Sequence, residues 1–247
     1  MTIPTFTPDF PGAIVFPAHV TNAYDPLAHG SPNQPRAFIL HTPEEPADDY
    51  PSTPHWFARF HPQQAGSTHY FASYKGQIWQ CVPERWGAIA NGLDGKPRPS
   101  WALPNTSLNW QTVSVEIEGY AANIGQTLQV GGLQWKALVA LIRHRCAAWK
   151  IPLDREHIMG HYQLSVNRSD PGASFPWAAL MAEFQEEEEM QPYLVWDTGR
   201  KQTYLLGPFG AVYIPYPADA AQRCLISATN AFHCGPPTCS VWPMLAA

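Results

Sequence analysis

Positive charge is sparse in this chain. Its 15 lysines and arginines are outnumbered by 20 acidic residues, and they form no basic block anywhere along the 247 residues. A nucleic-acid surface needs clustered cations to replace phosphate counterions, so no nucleic-acid partner is expected, and no anionic lipid surface either. Long apolar runs are also lacking. No stretch reaches the roughly 18 apolar residues of a membrane span, so no membrane insertion is expected. The first twenty residues, MTIPTFTPDFPGAIVFPAHV, have neither a basic start nor an unbroken apolar segment. They do not read as a secretory signal, and the expectation is a protein made in the cytoplasm that reaches any outside target by another route. Cysteine is limited to Cys81, Cys146, Cys224, Cys234 and Cys239. An odd count without a signal argues against a disulfide framework. Neither HExxH nor CxxC occurs, and His233 with Cys224, Cys234 and Cys239 fits no standard zinc-finger spacing.

Core-forming residues are plentiful. The hydrophobic fraction is 45% with ten tryptophans, enough for a folded core, and the length suits one large domain with a small appendage. The organisation reads as a Pro-rich arm over 1–34, packed over the surface, and a main domain over 35–185. An acidic linker over 186–192 and a small β-rich module over 193–247 follow. In the module, short aromatic strands are separated by DTGR and GPFG turns, with a helix expected over 218–226. Within the main domain, RAFILH (36–41) is a short apolar run ending at a histidine and predicts a buried strand. STHYFASYKGQIWQCVP (67–83) predicts a hairpin turning at Lys75-Gly76. VSVEIEGY (113–120) alternates, with Ser114, Glu116 and Glu118 opposite Val113, Val115 and Ile117. LQWKALVALIRHRCAAWK (133–150) repeats apolar residues at helical spacing between Gly131-Gly132 and Pro152. HIMGH (157–161) is a short extended piece, and FPWAALMAEFQ (175–185) a closing helix. The fold class is therefore α/β.

Candidate chemistry gathers at two strand ends. His41 closes one strand, and His161 follows another inside GHYQLSVNRSDPG (160–172), a loop punctuated by glycine and proline that also carries Arg168 and Asp170. Two imidazoles and a carboxylate form a ligand set used by catalytic zinc, which leaves a position for water. Glu116, on a strand among apolar neighbours, suits a base for that water.

Taken in order, ILHTPE (39–44), STHYFASYKGQIWQCVP (67–83), GAIANG (87–92), SVEIEG (114–119) and GHYQLSVNRSDPG (160–172) match a known pattern. The chain resembles the zinc-dependent N-acetylmuramoyl-L-alanine amidases of the type-2 amidase and peptidoglycan-recognition-protein superfamily over about residues 35–180. The resemblance implies a mixed central β-sheet flanked by helices, with a zinc cleft along one edge. It implies bacterial peptidoglycan as the partner and hydrolysis of the amide between N-acetylmuramic acid and L-alanine. By position, His41, His161 and Asp170 would hold the zinc and Glu116 would be the general base. A tyrosine used in another branch is replaced here by Thr68. Arg168 stands where these enzymes usually carry a lysine. It cannot shuttle a proton, but it can stabilise an oxyanion. His69 is expected to contact substrate or to support the site residues from behind, and Asn91 to hydrogen-bond the stem peptide or sugar. Of the functions consistent with this resemblance, a phage endolysin is the leading expectation. A peptidoglycan-recycling amidase and a non-catalytic peptidoglycan-binding protein are the alternatives.

Overall fold

The run Ala37–His41 is the strand on which the site is built (β3 below). Phe38, Ile39 and Leu40 are wholly shielded from solvent, which fits a strand covered on both faces. The computed structural model describes residues 1–46 and 51–185, together with four strands of the C-terminal part. In chain order the strands are β1 (Ile14–Val15), β2 (Ala23–Tyr24), β3 (Ala37–His41), β4 (Tyr70–Ala72), β5 (Ile78–Gln80), β6 (Gly87–Ala88), β7 (Thr112–Ile117) and β8 (Ile158–Gly160). The helices are α1 (Pro26–His29), α2 (Ser52–Phe57), α3 (Ile124–Thr127), α4 (Leu133–Trp149) and α5 (Trp177–Gln185).

Six strands form the main sheet in the order β1-β5-β4-β7-β3-β8. Only the β4–β5 hairpin is antiparallel; the remaining neighbours run parallel, so the sheet is mixed. Pleating sends alternate residues to opposite faces. Ala37 and Ile39 pack on one face against Trp101, Ala102, Leu108, Met159 and Leu164. Phe38 and Leu40 point the other way, toward the side taken by α4, which also packs against β4 and β5. This helix starts after Gly132 and ends at Lys150, which adopts a left-handed conformation two residues before Pro152. Trp135 of α4 is buried, and its indole N–H donates to Glu183 of α5 at 2.8 Å. The second face is covered largely by loop and a 3-10 turn at Leu108–Trp110 rather than by a long helix.

Residues 1–34 contribute directly to this sheet and its core. β1 pairs with the outer edge of β5, while Ile3, Ala18 and Ala23 are buried with Phe57, Cys81, Val82 and Ala88. The arm is also held by a buried polar cluster. The Glu84 carboxylate, fully shielded, is paired with Arg145 of α4 and accepts from Tyr70 Oη at 3.0 Å and from the Trp149 indole. Arg145 reaches the Asp9 carbonyl, and the Asp9 carboxylate accepts from Gln80 at 2.6 Å and from the Glu84 backbone N–H at 2.9 Å. A buried charge is tolerated only with such complete pairing. Cys81 and Cys146 are buried free thiols, and burial pushes both well up from the ordinary thiol range.

By its internal contacts the chain divides into Met1–Glu183 and Phe184–Ala247. The second unit contains β9 (Tyr193–Asp197), β10 (Gln202–Gly207), β11 (Gly210–Ile214) and β12 (Ser240–Trp242), an antiparallel sheet in the order β12-β11-β10-β9. The helix expected over 218–226 and Cys224, Cys234 and Cys239 lie outside the described residues. Among the described residues no helix is long and apolar enough to cross a membrane.

Candidate active site

Strand register brings the site together. β3 pairs with β7 so that His41 lies beside Glu116, and with β8 so that Leu40 lies beside Gly160. His161, the next residue after Gly160, thus stands next to His41 at the carboxyl ends of adjacent parallel strands, where open α/β sheets commonly bind ligands. The two imidazole rings are 4.5 Å apart between centroids. Asp170 completes the group from the following loop. Its Oδ2 lies 2.9 Å from His41 Nδ1 and 3.2 Å from His161 Nδ1.

One potential ligand atom from each of His41, His161 and Asp170 lies within 4.8 Å of the others. Both histidines are buried and the aspartate is nearly so. Two imidazole nitrogens and a carboxylate, drawn in from water and converging on one point, have the donor chemistry that a three-ligand catalytic zinc site requires. Burial works against the charge of Asp170, but hydrogen bonds from His161 and His41 outweigh it and hold the carboxyl well below the usual carboxylate range. His41 is disfavoured as a cation by burial, yet the bond to Asp170 and the nearby Glu116 charge leave it raised. His161 is lowered, first by burial and then by the neighbouring His41, despite its own bond to Asp170.

The two glutamates of the β7 segment have different surroundings. Glu118 is buried and accepts from the Tyr74 backbone N–H at 2.7 Å, which ties down the β4–β5 turn. Glu116 is half-buried and faces the cleft, and its Oε2 is shut off from water with no hydrogen-bond partner. Burial pushes its carboxyl up to about 7, with the charges of Asp170 and Glu45 adding to the rise and His41 and Arg168 opposing it. An unsatisfied buried carboxylate oxygen is costly in a purely structural role.

A cleft of about 700 Å³ opens over these residues. His41, Glu116, His161 and Asp170 line one part, Glu45 and Trp56 line another, and Arg168 is exposed in its lining. Trp56 is the one tryptophan in this lining; Trp101 and Trp110 are buried elsewhere. His55 and Arg59 also line the cleft, although nothing in their local sequence sets them apart.

Two expected substrate contacts are corrected by these positions. His69 has no exposed surface; its Nε2 faces the Trp86 carbonyl at 3.0 Å, and its Nδ1 accepts from the Ser114 backbone N–H at 3.2 Å. It packs beneath the sheet end and keeps the neutral form that burial favours. Asn91 is 2% exposed, with its Oδ1 on His41 Nε2 at 2.9 Å and its Nδ2 on Thr112 Oγ1 at 2.8 Å. Both side chains are buried and bonded within the protein rather than presented to a substrate. Thr68, also buried, donates to the Tyr70 carbonyl at 2.7 Å.

The loop bearing Asp170 turns on Gly172, whose φ of +112° lies in the region that favours glycine. A Cβ there would overlap the Ala121 carbonyl, with the carbonyl carbon only 2.8 Å away. Gly172→Ala is expected to destabilise the fold by more than ~1 kcal/mol and, because Asp170 is two residues away, to weaken the binding of any metal held there. Chemical denaturation together with a zinc titration would check this; unchanged midpoint and affinity would show that the loop has room to adjust.

Comparison with known proteins shows the family. The family model described as N-acetylmuramoyl-L-alanine amidase matches residues 31–173, more than half of the chain. N-acetylmuramoyl-L-alanine amidase A of Achromobacter lyticus is 32% identical over 186 residues, covering 69% of this chain and 92% of that protein. Among solved structures, AmpD is similar with a TM-score of 0.49 and 19% identity, covering 70% of this chain and 95% of that one. The E. coli amidase AmiD, solved with a muropeptide substrate, is similar with a TM-score of 0.45 and 21% identity, covering 72% and 76% respectively. On the family match and the Achromobacter relative, this chain belongs to the N-acetylmuramoyl-L-alanine amidase family and is a peptidoglycan amidase.

Proposed function

We propose that the chain cleaves the amide between the lactyl group of N-acetylmuramic acid and the first L-alanine of the stem peptide, and that it does so with zinc. The observation that carries this reading is the convergence of His41, His161 and Asp170 beside a buried, unpartnered Glu116 oxygen at one cleft. His41, His161 and Asp170 would hold the ion, which when bound supplies a Lewis acid for the substrate carbonyl and the attacking water. Glu116 accepts the water proton as the carbon–oxygen bond forms, then delivers a proton to the alanine nitrogen as the carbon–nitrogen bond breaks. Its raised proton affinity suits both halves of that cycle. Arg168, exposed in the cleft lining, donates to the carbonyl oxygen as negative charge builds.

Arg168→Ala is accordingly expected to lower kcat by about 10²–10³-fold, the cost of losing one oxyanion donor, with zinc content unchanged. Steady-state kinetics beside metal analysis checks it; activity within a few-fold of wild type would remove Arg168 from the mechanism.

The direct test of the reaction is digestion of purified peptidoglycan with and without chelator, followed by mass spectrometry of the soluble products. Stem peptides with a new N-terminal alanine, lost on chelation and restored by zinc, are the expected result. Intact muropeptides from a zinc-loaded chain would instead favour a binding protein.

For the biological setting we favour wall lysis, as by a phage endolysin released from the cytoplasm. The support is the second unit with its own β-sheet, which a wall-binding role would use. A recycling amidase would prefer soluble muropeptides to intact sacculi, so relative rates on the two substrates separate these settings. Incubating residues 191–247 with cell walls tests the second unit; failure to bind would count against the lytic reading.

A further inference from the structure

A buried chain of hydrogen bonds runs from the 3-10 turn at Leu108–Trp110 to His41. Thr112 Oγ1 donates its one hydrogen to the Leu108 carbonyl at 2.8 Å. With that hydrogen committed, the same oxygen can only accept, and Asn91 Nδ2 donates to it at 2.8 Å. This fixes the direction of the amide and turns Asn91 Oδ1 toward His41 Nε2 at 2.9 Å. An amide oxygen cannot donate, so His41 Nε2 carries the hydrogen. The nitrogen left to ligate a metal is then Nδ1, which faces Asp170 Oδ2.

The Asn91 backbone is pinned as well. Its N–H donates to Asn109 Oδ1 at 2.6 Å, and the Ala90 N–H donates to the same oxygen at 3.1 Å. Asn91, Thr112 and Asn109 are all buried, at 2%, 0% and 8% exposed. Water is therefore poorly placed to substitute for any member of the chain.

We infer that Asn91 is a positioning residue that selects the His41 tautomer able to ligate through Nδ1, and so sets the metal affinity of the site. This rests on the zinc reading given above. Outer partners of this kind hold a ring in orientation and fix which nitrogen is free. Asn91 achieves this without a charge of its own, so it adds no negative charge beside Asp170 and Glu116.

The test is the zinc affinity of the full chain, measured by competition against a chromogenic chelator, for wild type, Asn91→Ala and Asn91→Asp. Melting curves in chelator establish that each variant is folded. Asn91→Ala is expected to bind zinc roughly 10–100-fold more weakly, the usual cost of losing an outer partner. Asn91→Asp retains an acceptor for the Nε2 hydrogen, with the Thr112 hydroxyl free to reorient, and is expected to stay close to wild type. Equal affinity in all three proteins would overturn the role of Asn91 and leave the zinc reading standing. Equal weakening in both variants would mark a packing defect and overturn it too. A wild-type chain that binds no zinc would overturn both readings. If Asn91→Ala does not fold, Thr112→Val takes its place, since it removes the hydroxyl that orients the amide at nearly constant volume, and a weaker zinc affinity is again expected.

Discussion

Glu116→Gln is expected to lower turnover by about 10²–10⁴-fold, the range for loss of a general base, while leaving zinc bound. Glutamine keeps the shape of the side chain and its seat beside His41 on β7, but it cannot accept the proton from water. Glu116 lies outside the group of three residues proposed to hold the metal, so metal content should match wild type. Loss of metal together with loss of activity would make Glu116 a ligand instead. The same variant has a second, opposite effect on the metal-free chain. Burial raises the folded-state carboxyl to about 7 from an ordinary value of 4.5. The folded state therefore binds a proton between these values, and stability present below pH 4.5 is lost as pH rises through 7. In chelator, Glu116→Gln should therefore be more stable than wild type at pH 8, by at most ~3 kcal/mol, and the gap should close toward pH 4. Thermal melts of the two proteins across that window measure it, and a constant gap would mean that Glu116 is not desolvated. A catalytic group that lowers stability is a usual consequence of tuning a site for chemistry.

Asp170→Ala is expected to abolish activity through loss of the metal. In the proposed site Asp170 would contribute the one charged ligand, and it is the group that both histidine Nδ1 atoms face. Without it, two imidazoles remain, and the affinity should fall by more than the roughly 10–100-fold that an outer partner costs. Chelator-treated wild type should recover on adding stoichiometric zinc, whereas Asp170→Ala should not. The contrast with Glu116→Gln separates the two roles: one variant retains metal without turnover, the other loses both. An Asp170→Ala chain that regains activity with stoichiometric zinc would mean that a different residue closes the site.

Much of this arrangement is legible in the sequence, because local pattern marks where strands end. The run AFIL stops at His41, and VSVEI alternates so that Glu116 must face away from Val113 and Val115, as the structure has it. Register is not local. That His41 lies beside Glu116, with His161 on its other side, depends on pairing between strands about 75 and 120 residues away from β3. The misreadings of His69 and Asn91 have the same origin. Both occupy segments that resemble cleft-forming motifs, but their neighbours Ser114 and Thr112 reach them only through the sheet. Strand β1 is hidden for a different reason. Two residues, Ile14 and Val15, in a proline-rich segment carry no periodicity, and only the open edge of β5 makes them a strand.

That last contact bears on how far the catalytic fold extends beyond the segment by which the family is recognised. The matched segment begins at residue 31, after the whole of β1 and after Asp9. A chain trimmed to that point would leave β5 as a bare sheet edge, open to pairing with another molecule. It would also withdraw the Asp9 groups from Gln80, Arg145 and the Glu84 backbone, loosening the partners of a carboxylate sealed under helix α4. The segment that identifies this enzyme is thus shorter than the segment that folds, and the first thirty residues act as the missing border of its sheet.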